Sequence, residues 1–144
     1  MNSTPTCGLA SCMLALFFSS AVISCRRDSG QVPMVPVNVQ ININQPDFFN
    51  LSVVTGWVYI TGGSRGIIVY RKSQSEFVAL ERHSAYNPAE GCAVTVNSDG
   101  IIVSDPCSES QWLITDGSVL NGPAAAPLQS YRTDFQDPIL YISN

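Results

Sequence analysis

The sequence predicts an all-β domain built as an antiparallel sandwich or barrel, and three observations support this fold class. In residues 37–44, β-branched and polar side chains alternate with the period of a half-buried strand. Two apolar runs, residues 57–60 and 66–70, flank a Gly62-Gly63 turn that is typical of a hairpin. Turn residues recur at short spacing and no helical period is found, as in compact antiparallel folds.

The predicted strands follow one another along the chain. Residues 37–44 form the first strand, which Gln45-Pro46-Asp47 ends. Residues 48–53 match neither a strand nor a helix, although their apolar side chains are expected to supply core bulk: Phe48, Phe49, Leu51 and Val53. Further strands are predicted at residues 57–60, 66–70, 76–80, 101–103, 112–114, 131–133 and 139–142.

Length and charge narrow the functional classes. The chain has 144 residues, which suits one domain. Charged residues make up 12% of it and the net charge is −4. Nucleic-acid binding requires a basic surface that displaces phosphate counterions. The basic pairs Arg26-Arg27 and Arg71-Lys72 are too short for this, so we expect no nucleic-acid partner.

The N-terminus has the pattern of an export signal. The apolar run at residues 9–24 is shorter than the roughly 20 residues of a bilayer-spanning helix and suits a secretory signal peptide, assigned to residues 1–24. Its ending, Val22-Ile23-Ser24-Cys25, resembles a bacterial lipobox. That resemblance implies a lipidated Cys25 and a proline-containing tether at residues 25–36. An uncleaved anchor, or a cleaved signal with an ordinary Cys25, remains an alternative.

A lipid on Cys25 implies export to the bacterial cell envelope. The domain would then be anchored to a membrane, either facing the periplasm or at the outer membrane. Cys7 and Cys12 lie in the signal, so the mature domain keeps Cys92 and Cys107. In an oxidising compartment this pair predicts a disulfide. The disulfide would close a loop of 15 residues, worth about 3 kcal/mol of stability.

A family resemblance rests on the segment that follows residue 104. Asp105-Pro106 begins a turn, residues 112–114 form a short apolar strand, and Asp116-Gly117 turns again. Gly122-Pro123-Ala124, Pro127-Leu128 and Tyr131 complete the segment. It resembles the second cluster-binding loop of Rieske iron–sulfur domains. The resemblance extends over about residues 35–144, and implies a Rieske-like domain at 37–144 with a small loop-bearing subdomain at 81–116.

The cluster ligands of that family are replaced here. Rieske domains hold a [2Fe–2S] cluster with Cys-x-His and Cys-x-x-His pairs. The resemblance places the first pair on Ser84 and Tyr86 and the second on Asp105 and Ser108. It also places on Cys92 and Cys107 a further pair that forms a disulfide in some members.

The donor inventory agrees with this loss. The chain has a single histidine, His83, whereas a Rieske centre needs two. A cluster held by cysteines alone needs four thiolates, and the mature domain has two. We therefore expect the [2Fe–2S] cofactor, and any metal, to be absent.

The same residues raise hypotheses about other kinds of site. His83, Cys92 and Cys107, with Asp105 as a fourth ligand, would suit zinc if both thiols were reduced. Ser84 beside His83 raises the hypothesis of a Ser/His hydrolase, but no Gly-x-Ser-x-Gly elbow or third member accompanies them. Four acidic residues lack the dense alternation of a calcium loop and are expected to form turns instead: Asp99, Asp105, Glu109 and Asp116.

The sequence thus predicts a protein that is not an enzyme. The expected function is a cluster-free, membrane-tethered accessory or interaction subunit of a larger bacterial envelope assembly, with a protein partner. The alternative is a Rieske-type electron-transfer protein whose cluster is completed by unrecognised ligands or by a partner chain. A third class is an exported metal-binding protein that uses His83 and reduced cysteines.

Overall fold

The computed structural model describes residues 30–144. The signal peptide predicted at residues 1–24, the lipidation site Cys25 and the first part of the tether lie outside the described residues. Between residues 30 and 144, no helix is long and apolar enough to cross a membrane. This part of the chain is built from antiparallel strands, which confirms the all-β fold class.

The described residues form ten strands and two short 3-10 helices. The first helix is Pro46–Ser52 and the second is Pro88–Glu90. The strands are β1 (Asn38–Asn42), β2 (Trp57–Ile60), β3 (Ile67–Arg71), β4 (Phe77–Glu81), β5 (Thr95–Val96), β6 (Ile102–Ser104), β7 (Gln111–Leu113), β8 (Val119–Asn121), β9 (Ser130–Gln136) and β10 (Ile139–Ser143). A six-stranded sheet has the order β1-β10-β9-β4-β3-β2, and a four-stranded sheet has the order β5-β6-β7-β8.

The larger sheet curls around one core. The long strand β9 allows this, because its start pairs with β4 and the rest pairs with β10. Ile41 of β1 and Val58 of β2 belong to opposite edge strands and still share the same buried cluster. The alternation predicted for the first strand is confirmed, with Val37, Ile41 and Ile43 buried.

The smaller sheet packs on the outside of the larger one. Along β3, Ile67 and Val69 lie in the first core, while Ile68 and Tyr70 lie in a second core beneath the small sheet. The fully buried Trp112 of β7 belongs to this second core, and its indole Nε1 donates to the carbonyl of Ala126 at 3.0 Å. β3 is therefore buried on both faces, which explains its unbroken run of apolar residues.

The segment left unassigned by sequence is the first 3-10 helix. Leu51 is fully buried and Phe48 packs against the first core. Phe49 and Val53, however, are 71% and 59% exposed, so their predicted core role is wrong. With three residues per turn, Phe48 and Leu51 lie on one face of this helix and Phe49 does not. Val53 is the residue that ends the helix.

The end of the predicted tether is fixed to the domain. The backbone N–H of Val37 donates to the side-chain oxygen of Asn144 at 3.0 Å. The Asn144 amide donates in turn to the carbonyl of Val35 at 2.8 Å. Any spacer that separates the domain from an anchor therefore ends before Val35.

One arginine of the pair Arg71-Lys72 has a structural role. Arg71 is 7% exposed, and its guanidinium donates to the carbonyls of Leu51 at 2.9 Å and Gln74 at 2.6 Å. It also lies 5.2 Å from the centre of the Phe77 ring. Because its donors are directed at the backbone, Arg71 adds no cation to the surface.

Candidate functional site

Two loops meet at one end of the small sheet. Loop 1, residues 82–94, follows β4 and contains the second 3-10 helix, and loop 2, residues 105–110, connects β6 to β7. Within loop 1, the N–H of Ser84 donates to the carbonyl of Cys92 at 2.8 Å. Within loop 2, the N–H of Asp105 donates to the carbonyl of Ser110 at 3.0 Å. Each loop therefore contains a backbone hydrogen bond that joins residues near its own two ends.

Three of the four positions that the Rieske resemblance assigns to ligands lie together. The Ser84 hydroxyl donates to Asp105 Oδ2 at 2.7 Å, and the Ser108 hydroxyl donates to the same oxygen at 2.9 Å. The N–H of Cys107 donates to Asp105 Oδ1 at 2.9 Å. Asp105 is only 3% exposed, so this carboxylate is a buried acceptor that joins the two loops.

The fourth position, Tyr86, is different. Its backbone N–H donates to the Ser84 hydroxyl oxygen at 3.1 Å, but its side chain is 37% exposed. The phenol contributes no hydrogen bond to the group around Asp105. Tyr86 therefore belongs to the surface of loop 1.

The predicted disulfide between Cys92 and Cys107 is confirmed. It joins loop 1 to loop 2, with a Cα–Cα distance of 6.3 Å. Cys107 is exposed and Cys92 is half-buried. A covalent bond and the Ser84–Asp105 hydrogen bond thus cross the same gap side by side.

Glu90 lies beside this disulfide and was missed in the sequence. One of its carboxylate oxygens and the two sulfur atoms all lie within 4.8 Å of one another. The Asn87 amide donates to Glu90 Oε1 at 2.6 Å. The signal that could have identified it is the close spacing in Glu90-Gly91-Cys92, which brings a carboxylate to the same turn as the sulfur.

His83 has a partner at each ring nitrogen. Nε2 lies 2.8 Å from the carbonyl oxygen of Pro88, and Nδ1 lies 2.8 Å from the Ser64 hydroxyl. A carbonyl only accepts, so Nε2 carries a proton and donates to Pro88, while Nδ1 contacts the Ser64 hydroxyl. His83 is 4% exposed and is not part of the group formed by Glu90 and the cysteines. The described residues therefore do not form the zinc site that the sequence suggested, with His83, Cys92, Cys107 and Asp105 as its ligands.

The pairing of Ser84 with His83 is also not observed. The Ser84 hydroxyl contacts Asp105, and the histidine contacts Ser64 instead. The Ser64–His83 contact has the geometry of a nucleophile and its base. The backbone N–H groups of Ser64 and Arg65, however, both donate to Glu81, so neither is available to stabilise an oxyanion. This contact holds the turn after β2 against loop 1.

Glu81 is the buried centre of that second network. Its Oε1 accepts from the N–H groups of Arg65 at 2.9 Å and His83 at 2.8 Å. Its Oε2 accepts from the Ser64 N–H at 2.7 Å and the Tyr131 hydroxyl at 2.6 Å. The Glu81 carboxylate is 0% exposed, and its burial is tolerated because four donors replace the hydrogen bonds that water would make to it. Burial raises the pKa of Tyr131. The hydrogen bond to Glu81 and the negative charge of Glu81 raise it further.

Two exposed acidic residues form turns, as the sequence indicates. Asp99 Oδ1 accepts from the N–H groups of Ile101 and Ile102, at 2.8 and 3.0 Å, and these bonds lower the pKa of Asp99. Asp116 Oδ1 accepts from the Ser118 N–H at 2.9 Å. Hydrogen bonds from the Ser118 side chain and backbone lower the pKa of Asp116 as well. Both carboxylates therefore stabilise the turns in which they lie.

The donor atoms where the loops meet do not fit a [2Fe–2S] cluster. Such clusters are held by thiolates, with two imidazoles in the Rieske case. Ser84, Asp105 and Ser108 offer oxygen atoms that already bond to one another. The sulfurs of Cys92 and Cys107 bond to each other, and both nitrogens of His83 are occupied.

No protein-family model matches this chain, and no curated protein sequence matches it significantly. The Rieske-like interpretation therefore stays a hypothesis that depends on residues 105–131 and on the strands at 66–80. The all-β fold, the disulfide and the two hydrogen-bonded networks do not depend on it.

Proposed function

We propose that this protein is a non-enzymatic, cluster-free relative of Rieske domains. In this proposal it is an interaction subunit of a larger bacterial envelope assembly, and a lipid on Cys25 holds it at a membrane. The observation that carries the proposal is the 2.7 Å hydrogen bond between the Ser84 hydroxyl and the Asp105 carboxylate. Both residues occupy positions that the resemblance assigns to ligands of iron.

The chemistry of this bond favours a structural role. Asp105 is buried, and its two carboxylate oxygens accept three hydrogen bonds from both loops. Inserting a cluster would require breaking these bonds and leaving hard oxygen ligands for irons that prefer sulfur and nitrogen. Loops 1 and 2 are joined by these hydrogen bonds and need no cluster to join them. This favours a role in binding a partner over a role in electron transfer.

The small sheet offers a surface for a partner. β8 is the last strand of that sheet, and its outer edge is unpaired within residues 30–144. Val119 and Leu120 on β8 are 37% and 48% exposed. Exposed apolar side chains next to an open strand edge are features that a protein partner covers.

Metal and thiol content test the cluster-free proposal. On the full chain purified from its native compartment, we expect no visible absorption, no stoichiometric iron, and no titratable thiol at Cys92 or Cys107. Visible absorption together with about two iron atoms per chain would instead support the electron-transfer alternative.

Site-specific cross-linking tests the interaction role. A photoreactive residue placed at Leu120 in cells is expected to form an adduct with one envelope protein, whereas the same residue at Val53 is the matched exposed control. Equal labelling at both positions, or none at Leu120, would remove β8 as the contact surface.

The anchor is tested separately. Cys25→Ala is expected to release the protein from the membrane fraction, because a lipid chain requires the Cys25 sulfur. Unchanged membrane association would remove the lipid from the proposal.

A further inference from the structure

We propose that reduction of the Cys92–Cys107 disulfide creates a zinc-binding site formed by Cys92, Cys107 and Glu90. The proposal concerns the outer corner where loop 1 meets loop 2, and it depends neither on a membrane anchor nor on a partner. In the oxidised protein this corner is a covalent link. In the reduced protein it offers one carboxylate and two thiols that bind a metal as thiolates, which is a ligand set that suits Zn²⁺.

The ligand atoms are already close together. One Glu90 carboxylate oxygen and both sulfurs lie within 4.8 Å of one another. In a tetrahedral zinc site with bonds of about 2.0 to 2.3 Å, ligand atoms lie roughly 3.3 to 3.8 Å apart. Small side-chain rotations connect the two arrangements once the sulfur–sulfur bond is broken.

The main chain near both cysteines is held by bonds that reduction leaves intact. The carbonyl of Cys92 accepts from the Ser84 N–H at 2.8 Å, and the N–H of Cys107 donates to Asp105 Oδ1 at 2.9 Å. The Ser84 hydroxyl and the Asp105 carboxylate then join these two points at 2.7 Å. Opening the disulfide therefore frees two thiols without releasing the loops, which lowers the entropy cost of binding a metal.

Glu90 is oriented for this role. The Asn87 amide donates to its Oε1 at 2.6 Å and holds the carboxylate in the position where one of its oxygens lies within 4.8 Å of both sulfurs. Gly91, between Glu90 and Cys92, has a positive φ of 66°, which turns the chain so that both side chains lie at the same corner. Glu90 and Cys107 are exposed, so a reductant and a metal ion can reach them.

Nearby charge is compatible with the occupied site. Two thiolates and one carboxylate around Zn²⁺ carry a net charge of −1. The Arg65 guanidinium lies against Gly91 and compensates this charge.

A dithiol can reduce the Cys92–Cys107 disulfide by thiol–disulfide exchange. The dithiol transfers two electrons and two protons to the Cys92–Cys107 bond and becomes a disulfide itself, while the two cysteines become thiols. Zn²⁺ then displaces the two thiol protons and binds the sulfurs and the Glu90 carboxylate. A water molecule completes the tetrahedron. The site is thus present only in the reduced protein.

Cobalt is the probe, because tetrahedral Co²⁺ bound to thiolate gives charge-transfer and visible bands. The purified full chain is reduced with a dithiol, desalted without oxygen and titrated with Co²⁺. We expect one Co²⁺ per chain with thiolate bands, displacement by Zn²⁺, and no bands from the oxidised protein. A reduced chain without thiolate bands would overturn the proposal.

Variants separate this site from the other cysteines. Glu90→Gln is expected to weaken Co²⁺ binding at least about tenfold, whereas Glu109→Gln, an exposed charge in loop 2, is expected to leave it unchanged. The Cys92→Ser, Cys107→Ser double variant is expected to lose the bands. Bands that survive in this double variant, or a Glu90→Gln affinity equal to that of the unsubstituted chain, would contradict the assignment.

Discussion

The Ser84 hydroxyl lies 2.7 Å from Asp105 Oδ2 and connects loop 1 to loop 2 through two residues that are 21 positions apart in sequence. This bond is buried, and it runs beside the disulfide that joins the same two loops. The end of the small sheet therefore has two connections, one covalent and one polar, and each can be removed separately.

Removing the polar connection is expected to destabilise the domain. Ser84→Ala leaves the Ser108 hydroxyl as the partner of Asp105 Oδ2 and deprives a buried carboxylate of a donor. We expect a loss of about 1–3 kcal/mol in the free energy of unfolding, measured by urea denaturation. Ser98→Ala, at an exposed position, is the control and is expected to change stability by less than about 0.5 kcal/mol. Equal effects of the two substitutions would show that the bond contributes nothing.

The two connections are expected to be coupled. The Cys92→Ser, Cys107→Ser variant should lose about 3 kcal/mol, because its loop of 15 residues is no longer closed in the unfolded chain. When the disulfide is absent, Ser84→Ala should cost a different amount than when it is present, since neighbouring interactions are rarely additive. A double-mutant cycle in urea measures this difference. An interaction energy of zero would mean that the two connections act independently.

The Tyr131–Glu81 contact predicts a stability loss at high pH. Because burial and Glu81 raise the pKa of Tyr131 in the folded protein, its neutral form stabilises the fold. Below pH about 10 the phenol is neutral in both states, and this contribution is fully present. As the pH rises above 10 towards the folded-state pKa, the unfolded chain ionises first and the contribution is lost.

Tyr131→Phe tests this pH dependence. The variant should be less stable at neutral pH by about 1–3 kcal/mol, because Glu81 loses a donor. It should also lose less stability between pH 9 and 11 than the unsubstituted protein does, as measured by urea denaturation at each pH. Tyr141→Phe, on β10, is the matched control and should keep the full alkaline loss. If both variants follow the same pH curve, Tyr131 is not the responsible group.

The sequence predicts the parts of this fold that depend on local pattern. Period-two alternation locates β1, and a Gly-Gly turn between apolar runs locates β2 and β3. β5, with two residues, is too short to show a pattern, and all three residues of β8 are exposed, so neither was predicted. The disulfide was predictable because the export predicted from residues 1–24 would leave Cys92 and Cys107 as the remaining pair in an oxidising compartment.

The site was predictable only in part. Its positions at Ser84, Asp105 and Ser108 came from a family resemblance, and the structure brings these three together. The second network, around Glu81 and His83, joins residues from separate strands and turns and has no sequence spacing that reveals it. The only local sign of this network in the sequence was Glu81, an acidic residue that directly follows the apolar residues of β4.

A substitution at Gly63 tests how strictly the second network fixes the conformation of the turn after β2. This residue has a positive φ of 62°, and a Cβ built on it would collide with the Glu81 carboxylate and the Tyr131 hydroxyl. Gly63→Ala therefore strains the backbone and displaces the buried hydrogen bond at once, and we expect it to cost at least about 2 kcal/mol in urea denaturation. Gly30→Ala, where a Cβ has no atom within 4 Å, is the control and should be nearly neutral. A neutral Gly63→Ala would mean that the turn can move away from Glu81 without loss, and that the network does not hold it in place.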